Sequence, residues 1–232
     1  MQDLIKKCCL LGNLEGMQLA QDVIDRLFVE KRRLQATGIM ISVPVDLLQT
    51  LLYGWAVLAT GLRVAQNRMR EVLLLAIEEA KQDALVIAKA TESTTLPEKN
   101  YHQPTVDLFN TYLRGLANAA KHQQPQAALN AEAMLYEMTE YNRSLGWHTK
   151  PNTRSYAHVI HALANTGHPG SGQRAYNLLR KMQVVHSMEK EIYLQDYGVA
   201  YNMKDLAANK RHIVTRALTS TMKALTKSKK CP

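Results

Sequence analysis

The sequence VDLLQTLLYGWAVLA at residues 45–59 recurs as VDLFNTYLRGLANAA at residues 106–120, with eight of the fifteen positions identical. A third segment, TRSYAHVIHALANTG at residues 153–167, follows the second at an offset of 47 residues. It keeps an aromatic residue and the run Leu-Ala-Asn in register with the second segment. Similarity of this kind within one chain indicates a repeat architecture, so the repeats decide the fold.

A second helical pattern follows the repeated segments. Residues 131–138 (AEAMLYEM) match residues 175–182 (AYNLLRKM), and residues 20–27 (AQDVIDRL) match both. Their apolar side chains fall at positions i, i+3, i+4 and i+7, which form one face of a helix, and the leading alanine lets a neighbouring helix come close. Glycine and proline between the two helices indicate turns, as at Gly12 in the first repeat and in HQQP at residues 122–125.

These helix pairs predict an all-α protein, an α-solenoid of stacked helix-turn-helix repeats, because one pair cannot bury its apolar face alone. Successive repeats start 61, 47 and 62 residues apart. The first repeat, at 1–37, is partial and consists of the end of a first helix and a second helix. A long irregular second repeat follows at 38–103, a third at 104–150 and a fourth at 151–189. The basic C-terminal helical segment at 190–232 is a candidate for a partial fifth repeat.

The positive charge is concentrated in the C-terminal half. The chain has 29 Lys and Arg against 20 Asp and Glu, which gives a net charge of +9. Residues 1–100 are neutral overall, whereas residues 101–189 carry +3 and residues 190–232 carry +6. Such a surplus either attracts a polyanion such as nucleic acid or forms a solvated, solubilising tail.

The cysteines and the apolar runs exclude several classes of protein. Cys8, Cys9 and Cys231 have no disulfide or zinc spacing, which indicates a reducing compartment with the adjacent pair as small buried side chains. Residues 47–62 carry no charge but are shorter than the roughly 20 residues of a membrane span. We therefore expect a buried helix there and no membrane partner. No secretory signal or transit peptide is visible at the N-terminus.

Residues 150–182 read KPNTRSYAHVIHALANTGHPGSGQRAYNLLRKM and resemble a pentatricopeptide repeat (PPR). The shared features are a proline and a polar residue, an aromatic, a Val-Ile pair, Ala-Leu-Ala, a glycine turn and the second-helix pattern. Residues 104–138 match nearly as well, and residues 20–27 and 45–59 match in part. The resemblance implies an RNA-binding α-solenoid of mitochondria or plastids, with single-stranded RNA held in a concave groove for RNA processing, stability or translation.

The resemblance also implies which side chains select a base. In that family they are the residue after the first-helix aromatic and the residue after the proline that precedes the next repeat. Asn110 and Asn152 hold these positions in one repeat and imply a pyrimidine, with cytosine preferred; Gln49 and Thr105 hold them in the repeat before. An amide can donate to and accept from the Watson–Crick edge of an unstacked base. Ala157 holds the next equivalent position and has no such group.

Contacts to RNA phosphates are expected from basic side chains, because Lys and Arg release counterions when they bind the backbone. Each of them could instead be an ordinary solvated side chain. The candidates are Arg114, Arg154, Lys204, Lys210 and Arg211, with Lys223, Lys227, Lys229 and Lys230 towards the C-terminus.

No motif supports catalysis, so we expect a non-enzyme without cofactor. Residues 167–173 (GHPGSGQ) faintly resemble a phosphate-binding loop, but no Lys-Ser/Thr follows the last glycine, and a turn between helices explains them. His158 and His161 have the spacing of two metal ligands but no third. Glu78, Glu79 and Asp83 could pass for a carboxylate cluster but are interpreted as a solvated face of a long helix.

A second hypothesis for function is a protein-binding α-solenoid, for example a structural subunit of an organellar ribosome or of another RNA-processing complex. The irregular repeat length, the alanine at residue 157 and the neutral first hundred residues favour it. A third is a fragment of a longer enzyme.

Overall fold

The computed structural model describes residues 2–39, 41, 43–60, 62–90, 103–122, 124–197 and 203–228. Within these ranges the side chains of residues 2, 86–90, 122, 125, 190, 192–197, 203–211 and 228 are outside the description. The chain forms two compact units, Met1–Gly115 and Leu116–Pro232. The division of the sequence into five repeats stays a prediction.

The described residues are helical and contain no strand, which confirms the all-α class. No helix in these ranges has both the length and the apolar character needed to cross a membrane. The helices are α1 (Gln2–Leu10), α2 (Leu14–Ala36), α3 (Val45–Leu58), α4 (Arg63–Ala90), α5 (Val106–Ala119), a 3₁₀ turn (Ala120–His122), α6 (Pro125–Leu145), α7 (Thr153–Thr166), α8 (Ser171–Tyr197) and α9 (Met203–Ser228).

In the first unit, α1 packs against α2 and α3, and α3 packs against α2 and α4. The predicted turn after the first helix is present, with Gly12 in the left-handed conformation at φ 64°. The uncharged segment forms α3, which is buried along most of its length, as expected. Its Trp55 is fully buried, and the indole nitrogen donates a hydrogen bond of 3.1 Å to the side-chain oxygen of Gln21 on α2.

The glycines at equal positions of the two repeated segments make equivalent contacts. A Cβ atom on Gly54 would lie 2.7 Å from the Cε atom of Met17, and one on Gly115 would lie 2.8 Å from the Cε atom of Met69. Both methionines are fully buried, each on the helix that precedes the glycine's own helix. The repeated glycine is therefore kept for close helix packing.

In the second unit, α7 packs against α6, α8 and α9, and α8 also packs against α9. The start of α7 is fixed from two sides. Asn152 and Ser155 form a reciprocal capping box, and the Glu189 carboxylate on α8 accepts hydrogen bonds from the amide and the hydroxyl of Thr153 at 2.8 and 2.9 Å. The loop before α7 is tied down as well, because the buried Thr149 hydroxyl donates to the Met138 carbonyl. Such caps stabilise the helix end by about 1 kcal/mol each.

The interpretation of Glu79 and Asp83 as a solvated face was wrong. Both carboxylates on α4 pair with the ammonium group of Lys31 on α2; the separation from Asp83 is 3.5 Å. Lys31 is only 3% exposed. A buried ammonium group requires opposite charge nearby, and Lys31 therefore draws the two carboxylates into the interface between α2 and α4.

Enlarging Gly54 tests the close approach of α3 to α2. We expect Gly54→Val to lower the free energy of unfolding by about 2 kcal/mol, because the new side chain overlaps with Met17 in a packed core. The double variant Gly54→Val/Met17→Ala should lose less than the sum of the two single variants, since the smaller partner makes room. Urea unfolding, monitored by circular dichroism, measures the unfolding free energy of all three variants. If the losses of the two single variants add up to that of the double variant, the contact between Gly54 and Met17 is contradicted.

Removing the buried cation tests the ion pairs between α2 and α4. We expect Lys31→Met to destabilise the protein by about 3 kcal/mol, because two partly buried carboxylates then lose their partner. The matched control is Arg33→Met, which removes an exposed pair with Glu30 and should cost less than about 1 kcal/mol. Equal small losses in both variants, measured by urea unfolding, would mean that Lys31 makes only an ordinary surface pair.

Candidate functional site

A surface cavity of about 400 Å³ lies in the first unit on the helices that carry the repeated segments and on α1. Its lining is polar and aromatic and carries charges of both signs. It consists of Lys6 on α1, of Asp46, Gln49, Thr50 and Tyr53 on α3, and of Thr111 on α5.

A cation–π contact lies beside this cavity. The guanidinium carbon of Arg114 stands 5.1 Å from the centre of the Tyr53 ring, and the tyrosine is 48% exposed. The two residues hold the same position in the two repeated segments, so neighbouring helices bring them together. A guanidinium plane and an exposed aromatic ring are the groups on which unpaired nucleic-acid bases stack.

The predicted base-reading residues have different environments. Gln49 is half-buried and lines the cavity, where its amide can meet a ligand. Asn110, at the same repeat position on α5, is only 4% exposed and belongs to the packed interior. Thr105 is exposed, and its hydroxyl accepts a hydrogen bond of 3.4 Å from the Leu108 amide at the start of α5.

Asn152 has a structural role at the start of α7. Its Oδ1 atom accepts hydrogen bonds of 3.0 Å from both the amide and the hydroxyl of Ser155. Asn110 and Asn152 belong to different units. The structure brings Gln49 together with Tyr53, a residue that the sequence analysis did not single out.

The predicted phosphate-binding residues are only partly described. Arg114 is exposed beside Tyr53, and Arg154 is exposed in the first turn of α7. Lys223 and Lys227 lie on α9. Lys204, Lys210 and Arg211 also belong to α9, but their side chains, like residues Lys229 and Lys230, lie outside the described part of the chain.

A second polar surface surrounds His161 in the second unit. Its Nδ1 atom lies 3.2 Å from the Ser220 hydroxyl on α9. Its Nε2 atom is buried and has no hydrogen-bond partner among the described residues. Burial, and then the charges of Arg216, Lys121 and Lys223, lower the pKa of His161 from 6.5 to about 4. This imidazole is therefore neutral at pH 7.

The cations around His161 form a basic cluster, defined as Lys121, Arg216 and Lys223. They come from the 3₁₀ turn after α5 and from α9. Lys223 donates a hydrogen bond of 3.4 Å to Asn165, whose amide in turn donates to the Ala117 carbonyl at 3.1 Å. Like charges that converge on one point repel each other, and an anion relieves that repulsion.

Lys121 and Arg216 were not among the predicted phosphate-binding residues. The signal that could have found them is their place relative to the repeat. Lys121 directly follows the segment at residues 106–120, and Arg216 lies in the stretch that aligns with the start of the segment at residues 153–167.

Two features of the described residues concern metal and thiol chemistry. The described residues contain no group of three His, Cys, Asp or Glu side chains that could hold a metal ion. Cys8 is buried, as expected, whereas Cys9 is only half-buried, so the prediction of a buried pair was wrong for Cys9. Burial, and then the neighbouring Cys8, raise the pKa of the Cys9 thiol to about 11, and its sulfur lies 3.7 Å from the Thr50 carbonyl. A thiol that stays protonated is a weak nucleophile.

Comparison with known proteins gives no match: no family model, no curated protein and no solved structure is similar to this chain. The family is therefore not shown by similarity to known proteins.

The pH dependence of stability tests the environment of His161. Because its pKa is about 4 in the folded protein and 6.5 when unfolded, the unfolded chain binds the proton first. The contribution of this residue is complete above about pH 6.5 and is lost as the pH falls towards 4. We expect the free energy of unfolding of His161→Gln, measured with urea, to depend less on pH across this window than that of the unaltered protein. His148→Gln, at an exposed side chain, is the control. If the slope of unfolding free energy against pH is unchanged in His161→Gln, the lowered pKa of His161 is contradicted.

Proposed function

We propose that this chain is a PPR-type α-solenoid that binds single-stranded RNA in organellar RNA processing, stability or translation. The observation that carries the proposal is the cation–π contact of Arg114 with Tyr53, which lines the cavity of the first unit together with Gln49. An aromatic ring, a guanidinium plane and an amide on neighbouring repeated helices provide stacking and one hydrogen-bonding edge for a base. Mitochondria or plastids as its location follow from the PPR resemblance alone.

The helix contacts support stacked repeats within each unit. The first helices of successive repeats pack together, α1 with α3 in the first unit and α7 with α9 in the second. The first helices α1, α3 and α7 also pack against their own second helices, α2, α4 and α8. Contacts of a helix with its neighbours one and two places along the chain are those of a solenoid, because each repeat then touches only adjacent repeats.

The proposed mechanism is passive. Bases stack at Tyr53 in the first unit, and the basic cluster of the second unit neutralises phosphates. Stacking is sequence-tolerant because every base has a π face. Phosphate neutralisation makes affinity fall with salt. A strand held in this way is shielded from nucleases and kept unpaired, or presented to other proteins.

Base selection is expected to be weak. Asn110 is buried, Asn152 caps α7, and Ala157 has no hydrogen-bonding group. Among the four predicted base-reading residues, only Gln49 lines the cavity in the described part of the chain. We therefore propose contact with RNA through shape, stacking and charge more than through a code of one base per repeat.

A protein-binding scaffold is the second candidate, and one observation favours it. The second helices α6 and α8 expose large apolar side chains, with Tyr136 70% exposed and both Leu129 and Tyr176 above 40%. Exposed aromatic and aliphatic residues are common in protein interfaces. A structural subunit of an organellar ribosome or of another RNA-processing complex would use such side chains.

Anisotropy of fluorescent RNA tests the first candidate. The probe is a pool of single-stranded oligoribonucleotides with a 5′-hydroxyl end and a 3′ label, titrated at about 50 and 200 mM salt. We expect Tyr53→Ala to weaken binding roughly tenfold, because a stacked base is worth about 1–3 kcal/mol. Tyr136→Ala, at an exposed tyrosine of α6, is the matched control and should bind like the unaltered protein.

The salt series separates stacking from phosphate contact. Arg216→Gln and Lys223→Gln should each reduce the slope of log affinity against log salt by about 1. Tyr53→Ala should leave that slope unchanged. If no RNA binds at micromolar protein, or if Tyr136→Ala weakens binding as much as Tyr53→Ala, the scaffold is the better function.

A further inference from the structure

A second cavity, of about 240 Å³, lies in the second unit where the turn before α8 meets α6 and α7. One wall is apolar and includes Leu129 of α6 and Leu163 of α7. The polar part of the lining consists of Gln126, Thr166, His168, Ser171 and Arg174. Three of these five lie in or directly after the faint phosphate-loop pattern of residues 167–173.

Ser171 is the unusual member of this lining. It is only 2% exposed, and its hydroxyl oxygen has no hydrogen-bond partner among the described residues. Buried hydroxyl groups almost always have a partner, because an unsatisfied one costs free energy. Ser171 lines the cavity, and its buried hydroxyl without a partner points to a group that binds beside it.

The first turn of α8 contains further backbone donors next to Ser171. The Ser171 amide donates to the His168 carbonyl, and the Arg174 amide donates to the Gly170 carbonyl. The two amides between them, of Gly172 and Gln173, belong to the first turn, where a helix provides no acceptor. The helix is 27 residues long, and its dipole places partial positive charge at this end, which favours an anion.

Arg174 adds a positioned cation. Its Nε atom donates a hydrogen bond of 3.2 Å to Oε1 of Glu132, and a terminal nitrogen of the guanidinium group forms an ion pair with Oε2 of the same carboxylate. This two-point contact fixes the guanidinium plane and leaves its other terminal nitrogen for a ligand. Glu132 itself is absent from the cavity lining, although its charge offsets part of that of Arg174.

We propose that this cavity binds a phosphate monoester. The phosphate oxygens would accept from the Ser171 hydroxyl, from the first-turn amides of α8 and from Arg174, and the carbon part of the ligand would lie against the apolar wall. The cavity is larger than a phosphate group alone, which suits an esterified phosphate better than the free ion. The proposal goes beyond RNA binding through Tyr53 and does not depend on it.

A phosphate monoester can come from a small metabolite or from the 5′ end of an RNA, and isothermal titration calorimetry distinguishes these sources. The probes are inorganic phosphate, adenosine 5′-monophosphate against adenosine, and one short oligoribonucleotide with a 5′-phosphate against the same sequence with a 5′-hydroxyl. We expect a phosphorylated probe to bind at least tenfold tighter than its unphosphorylated counterpart.

Three variants assign the binding to the cavity. Gln126→Glu places a negative charge at the lining in the first turn of α6, where an acid favours the helix, so the fold is retained while a phosphate is repelled. We expect it to weaken binding at least tenfold, and Ser171→Ala to weaken it severalfold. Arg180→Gln removes an exposed cation further along α8 and should leave the affinity unchanged.

If only adenosine 5′-monophosphate binds tighter than its unphosphorylated counterpart, the ligand is a small metabolite. If only the 5′-phosphorylated RNA does so, the ligand is an RNA end. Equal affinity for every phosphorylated and unphosphorylated pair overturns the proposal, as does a loss in Arg180→Gln equal to that in Gln126→Glu. The 5′-hydroxyl RNA pool tests the Tyr53 surface separately, so the failure of one proposal is distinguishable from the failure of the other.

Discussion

The first unit depends on the close approach of its repeated helices to the helix that precedes each of them. Gly54 and Gly115 make this possible, because the space that a Cβ atom would occupy is filled by Met17 and Met69. Methionine suits that position, since its unbranched side chain adapts to an irregular gap. Gly115 also lies close to Ala56 of α3, so α5 and α3 are in direct contact. Equal positions of the two repeated segments then lie side by side.

That register explains how a functional surface arises from a repeated sequence. Tyr53 and Arg114 occupy one repeat position, and Thr50 and Thr111 occupy another. Where the repeat kept the residue, as with the threonines, the cavity has the same group on two helices. Where the residue differs, the two side chains are complementary, and an aromatic ring meets a guanidinium group. The chemistry of this surface is therefore determined by the positions of the repeated segment whose side chains do not pack between helices.

The sequence was sufficient to predict the helices, the glycine turns and the burial of α3, because these depend on local periodicity and on single residues such as Gly12. It was insufficient for contacts between distant residues. Lys31 is separated by 48 positions from Glu79, and nothing in either helix alone indicates that both face the same interface. The cluster around His161 escaped prediction for the same reason, since its cations come from separate segments.

Asn152 shows why residue type alone misleads at a candidate base-reading position. Asparagine is favoured both for hydrogen bonding to a base and for capping a helix, and the local sequence satisfies the second role through Ser155. Turning this side chain towards a base would give up a cap worth about 1 kcal/mol. Stacking at Tyr53 requires no such exchange, because that ring is already exposed. Any RNA affinity should therefore come first from stacking and charge, and only then from hydrogen bonds to base edges.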